Sequence, residues 1–119
     1  MRTISKVLAV LTLLLGAVPV TYAEEVTYTG EVLDLGCYIA TGAKGADHAG
    51  CAKNCVKGGQ PMGLLTEDGT VLVLAASHDN GAAYEAVKDL AGQNVEVTGN
   101  LSERDGMKVV SVTGSKAAD

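Results

Sequence analysis

The stretch AAYEAVKDLAGQNVEVTGNLSERDGMKVVSV, residues 82–112, carries the pattern that decides the fold. Its first part, 82–91, places Ala83, Val87 and Leu90 at offsets of four and seven, one face of a helix, and Gly92 stops it. The period then changes. Val95, Val97, Gly99 and Leu101 alternate with polar residues, the two-residue period of a half-buried strand. Arg104-Asp105-Gly106 turns the chain, and 107–112 returns as a second strand. Gly99 marks a bulge or a sharp bend, because a glycine inside a strand weakens it unless the backbone needs that freedom. Residues 114–119 read as a frayed tail.

Working outward, Val26, Tyr28 and Val32 alternate with polar residues across 26–32, a first strand with Gly30 in its middle. Residues 36–50 are rich in Gly and Ala and cannot be regular for long. Residues 50–57 are helix-compatible, and Gly58-Gly59 ends them. After Pro61, the apolar stretch 62–65 and the returning strand 71–74 flank a hairpin turn at Glu67-Asp68-Gly69. A polar loop, 77–81, leads into the helix. The order is strand, cysteine segment, strand, strand, helix, strand, strand. Five strands with a helix between the third and fourth is the order of an OB-like barrel, a mainly β fold, with a Cys/His-containing helical insert between strands one and two. The glycines inside strands one and four sit where a small barrel must bend. A generic α+β sandwich is the competing arrangement.

The first residues read differently. Arg2 and Lys6 precede a run of twelve residues, 7–18, apolar but for Thr12 and dominated by Leu, Val and Ala, and Thr21-Tyr22-Ala23 supplies small residues where a signal peptidase cuts. Twelve residues are too few to span a bilayer, which takes about 20. The expectation is a signal peptide at 1–23 and one mature domain at 24–119, periplasmic or secreted, with no membrane anchor after cleavage. That mature part holds all fourteen acids against seven bases, a net charge of −7. An acidic surface repels phosphate backbones, so nucleic acid is not expected as a partner.

The same 96 residues contain no Trp and no Phe, and only 20 are Val, Leu or Ile. Composition that lean lies near the level, roughly 20%, at which charged chains stay disordered. A small domain of this kind calls for a staple, either a disulfide or a metal.

Cys37, His48, Cys51 and Cys55 supply the means, in the spacing C-x10-H-x2-C-x3-C. Thiolate and imidazole are the donors that borderline and soft ions prefer, so the expected metal ligands are these four residues and the expected ion is zinc or copper(I). Geometry restricts the arrangement. A straight helix from His48 to Cys55 would separate its ends by about 10 Å, so His48 joins only from the loop before the first helical turn. A disulfide is the alternative: Cys37 paired with Cys51 or Cys55 would close a loop of about 15 residues and stabilise by roughly 3 kcal/mol. It leaves one thiol over and gives His48 no task. In that case the chain is a structural or interaction module, with an unidentified protein partner or ligand on the barrel face. A thiol-based redox sensor is a third reading.

Other chemistry is absent from the pattern. Val56 follows the C-A-K-N-C string, so the usual haem attachment is missing, and neither a C-x-x-C redox pair nor a phosphate-binding loop occurs. No nucleophile–base arrangement stands out, and the expectation is a non-enzymatic protein. Asp34 reads as a strand-end turn former, or as a residue that orients the histidine from behind. Met62 reads as core filling rather than a soft ligand. His78-Asp79 reads as a solvated histidine and a capping aspartate.

The string Asp34-x-x-Cys37, His48-x-x-Cys51-x-x-x-Cys55 and Gly59-x-Pro61-x-Gly63 resembles a group of small exported bacterial proteins without an assigned activity, built on an OB-like barrel. The resemblance covers nearly all of 24–119. It implies a periplasmic location and an OB-like fold, and leaves metal and disulfide both open. Periplasmic OB-like copper carriers use methionine, histidine and a tryptophan, and this chain has no tryptophan.

Overall fold

Backbone pairing closes the sheet on itself. The computed structural model describes residues 16–17 and 24–118. The leader expected at 1–23 lies outside the described residues except for Gly16 and Ala17, and so does Asp119. Five strands form a closed barrel: β1 (Glu25–Asp34), β2 (Met62–Thr66), β3 (Val71–Ala76), β4 (Asn94–Arg104) and β5 (Met107–Ala117). Around the barrel the order is β1-β2-β3-β5-β4, with β4 returning to β1. All pairs are antiparallel except β3 with β5. Between β1 and β2 lie the short helix α1 (Leu35–Thr41), a 3₁₀ turn at Ala46–His48 and α2 (Ala49–Lys57); α3 (Gly81–Val87) joins β3 to β4. The arrangement is the mainly β, OB-like barrel expected from the sequence.

The turns follow from local chemistry. Asp105 and Gly106 both have positive φ, 52° and 83°, the requirement of the two-residue hairpin that pairs Arg104 with Met107. At the β2–β3 turn Gly69 sits at φ 85°, and Asp68 Oδ1 accepts the Thr70 N–H at 3.0 Å and the Thr66 hydroxyl. Gly30 and Gly99 are needed for close approach. A Cβ on Gly30 would meet the Leu65 carbonyl on β2, and one on Gly99 would meet the Ser111 carbonyl on β5. Gly99 also borders the one register shift between β4 and β5.

That shift corrects one expectation. The tail does not fray at Gly114. Thr113 is bulged out of the ladder, its hydroxyl donating to the Thr98 carbonyl at 3.2 Å, and pairing resumes from Gly114↔Thr98 to Ala117↔Val95. A second detail also differs. Asn80, not Asp79, caps α3, its Oδ1 accepting the Ala83 N–H at 3.3 Å.

Val32, Leu64, Leu72, Leu74, Val95, Val97, Val110 and Val112 fill the barrel. One end is plugged by the insert, whose α2 contributes Ala52 and Val56, four residues apart on one face and both buried. Met62 is fully buried in the same core, which is the filling role expected of it. Gly92 lets α2 settle, since a side chain there would run into Ala49 at the helix start.

Candidate metal centre

Asp34 ends β1 and begins the site. Strand alternation places it on the same face as Val32, and 2% of it is exposed. Its backbone is extended, as an N-cap must be, and Oδ1 accepts the Cys37 N–H at 3.3 Å. The cap therefore starts α1 and at the same time draws Cys37, on the first turn, against the carboxylate. Within the stretch expected to be irregular, this cap at one end and Gly42 at the other, whose N–H reaches the Tyr38 carbonyl at 2.8 Å, hold two helical turns.

His48 arrives from the far side of the insert. Gly45, at φ 86°, donates its N–H to Glu31 Oε2 on β1 at 2.8 Å and accepts the His48 N–H at 3.0 Å. These two bonds tie the loop to β1 and fold His48 back over its end. The histidine closes the 3₁₀ turn and immediately precedes α2, the pre-helical position that the sequence geometry demanded.

Donor atoms of Asp34, Cys37 and His48 all lie within 4.8 Å of one another. Ligands sharing one ion at bonds of about 2.0–2.3 Å sit about 3.3–3.8 Å apart in a tetrahedron. Side-chain rotation moving each donor on the order of 1 Å closes that gap. Two atoms of the group, Asp34 Oδ2 and His48 Nε2, are buried without a hydrogen-bond partner. Buried polar atoms in folded proteins are normally paired. Two orphans in one cluster with a thiol are a donor set suited to a cation.

Cys55 is half-buried and Cys51 exposed, one helical turn apart on α2. Of the four ligands expected from the sequence, the tight group therefore contains Cys37 and His48, together with Asp34; Cys51 and Cys55 stand beside it. The Cys55 thiol feels the Asp34 carboxylate, burial and the Cys51 thiol, and together they push it up to about 11. Asp34, burial and the Asp34 charge likewise raise Cys37 above the usual thiol value. For Asp34 itself burial acts upward, but the Cys37 thiol and backbone, the Cys55 thiol and the Gly36 backbone outweigh it and hold the carboxyl below its ordinary value. Asp34 Oδ2 nonetheless has no hydrogen-bond partner. The metal-free site at neutral pH is a buried carboxylate facing protonated thiols. All three cysteines are free.

Sequence reasoning gave Asp34 a supporting part, whereas the structure makes it a donor of the central group. The signal was the Asp34-x-x-Cys37 spacing, which is that of an N-cap and the residue whose N–H it accepts. His78 lies exposed in the loop before α3, as expected. A surface cleft of about 530 Å³, lined by Tyr28, Thr29, Thr66, Glu67, Asp68 and Lys108 among others, shares no residue with the cluster. Compared with family models, curated proteins and solved structures, the chain matches none.

Proposed function

We propose that this protein is an exported, non-enzymatic domain that binds a transition metal ion, zinc or copper(I), at the end of its barrel. The observation that carries the reading is the convergence of Asp34, Cys37 and His48 within 4.8 Å, with two of their donor atoms buried and unpartnered. Cys55, whose thiol acts on Asp34, is a further donor beside the group, and Cys51 is exposed. The three central residues come from β1, α1 and the turn before α2, so one ion cross-links the insert to the barrel. That supplies the staple the lean core lacks. Export follows from the charged, apolar and small-residue order of 1–23. Among the described residues no helix is long and apolar enough to cross a membrane.

The test is metal titration of reduced protein, with a competing chelator, in wild type and in the Cys37→Ser, His48→Ala and Cys51→Ser variants. One ion per chain is expected for wild type, loss of stoichiometric binding for Cys37→Ser, weakened binding for His48→Ala and retention for Cys51→Ser. Affinity should fall as pH drops, because a thiol and an imidazolium must each lose a proton to become ligands. A mass two hydrogens short of the fully reduced chain, in metal-free protein extracted natively, would replace this reading with the disulfide-stapled interaction module.

A further inference from the structure

Resting on that reading, we propose that Asp34 is itself a ligand and that it makes the site select a divalent ion, zinc, over copper(I).

A capping residue at a strand–helix corner need not be an aspartate, since serine or asparagine caps as well. Nor does capping use the whole carboxylate: Oδ1 takes the Cys37 N–H, and Oδ2 is left buried and unpartnered. Among the described residues no lysine or arginine forms an ion pair with it. The ion pairs among the described residues are Lys57–Asp89, Lys88–Glu85 and Lys116–Glu96, all elsewhere. A carboxylate that is 2% exposed draws on the Cys37 N–H and the neighbouring thiols, and a metal ion at its unpartnered oxygen would compensate the burial further.

Charge and donor type then choose the ion. The Asp34 carboxylate and a Cys37 thiolate carry two negative charges, and the His48 imidazole is neutral. A divalent ion brings this set to zero, whereas a monovalent one leaves a negative charge beside the buried Asp34 carboxylate. Zinc accepts carboxylate oxygen beside sulfur and nitrogen. Copper(I), a soft ion, gains little from oxygen and is held by thiolate and thioether. Asp34 is thus the donor in the cluster that separates the two ions.

The variant that isolates this role is Asp34→Asn, because asparagine keeps the cap and the volume while losing the anionic oxygen. Asp34→Ser, a second capping replacement, guards against a local packing effect of the amide. Zinc and copper(I) affinities are measured separately on reduced protein, with a chromophoric zinc chelator and a copper(I)-specific one, and far-UV dichroism checks the fold. Wild type should prefer zinc relative to the free chelators' own ranking. Both variants should lose at least the roughly 10–100-fold in zinc affinity that loss of an outer-sphere partner already costs. Copper(I) affinity should stay within about threefold of wild type, too small a change to count as a lost ligand. Unchanged zinc binding in folded Asp34→Asn, or equal loss of both ions, overturns the proposal while leaving metal binding intact. Wild-type protein that takes neither ion overturns the metal reading itself, and this proposal with it.

Discussion

Replacing Gly30 or Gly99 with alanine should destabilise the barrel sharply, while the same change at Gly114 should not. An added Cβ at Gly30 lies 2.7 Å from the Leu65 carbonyl carbon and 3.1 Å from the Thr66 Cα. At Gly99 it lies 2.7 Å from a Val110 methyl and 2.9 Å from the Ser111 carbonyl carbon. Carbon atoms in contact prefer about 3.5–4.0 Å, so the paired strands must part by on the order of 1 Å at either point. The obstructing atoms are mostly backbone, held in the ladder on both sides, and cannot swing away. Overpacking of this kind costs about 1–3 kcal/mol. For a domain of this size that lowers Tm by on the order of 10 °C. Gly114 lies on β5 with nothing within 4 Å of its added Cβ and without positive φ. There alanine restricts the unfolded chain without a clash, and stability should hold or rise by up to about 1 kcal/mol. Thermal and urea unfolding followed by far-UV dichroism, on metal-free protein, reads all three. If Gly30→Ala and Gly99→Ala unfold with the same midpoints as Gly114→Ala, the strands do not approach as closely as a closed barrel requires.

In metal-free protein the raised Cys55 thiol makes stability depend on alkaline pH. The folded state keeps the proton, so the contribution is complete below the unfolded thiol value of 9.0 and is lost as pH rises toward about 11. Melting temperatures across that window should fall in wild type and fall less in Cys55→Ser. Met62→Leu, which conserves volume in the core, should change stability by less than about 1.5 kcal/mol and leave metal stoichiometry unaltered; loss of the ion in titration would make Met62 a ligand. Mass spectrometry of exported protein should find Glu24 at the N-terminus, and an intact Met1 in the membrane fraction would refute the expected cleavage.

Much of the barrel was legible because it follows from local rules. The two-residue period at Val95, Val97 and Leu101, the Asp105-Gly106 turn and the helical offsets of Ala83, Val87 and Leu90 each state their own conformation. The continuation of β5 past Gly114 was not legible. It depends on the bulge at Thr113 and on pairing with Val95–Thr98, a partner fixed only when the barrel closes. The same division runs through the site. Cys37 and His48 stood out by residue type, and the pre-helical position of His48 followed from helix geometry. The part proposed for Asp34 was hidden, because an aspartate at that place also serves as an ordinary helix cap. Only its burial, and the oxygen left over after capping, distinguish it from one. Cys51 and Cys55 looked equivalent to Cys37 in spacing. The burial of Ala52 and Val56 sets how α2 is turned, and that rotation leaves Cys51 exposed.

The account stands on one ion held jointly by Asp34, Cys37 and His48. X-ray absorption at the zinc edge, on protein loaded with one equivalent, tests that most directly. It should show a sulfur shell at about 2.3 Å together with nitrogen and oxygen donors at about 2.0–2.2 Å, with the sulfur shell diminished in Cys37→Ser. A spectrum with oxygen and nitrogen donors alone, or a sulfur shell untouched by that substitution, would contradict it.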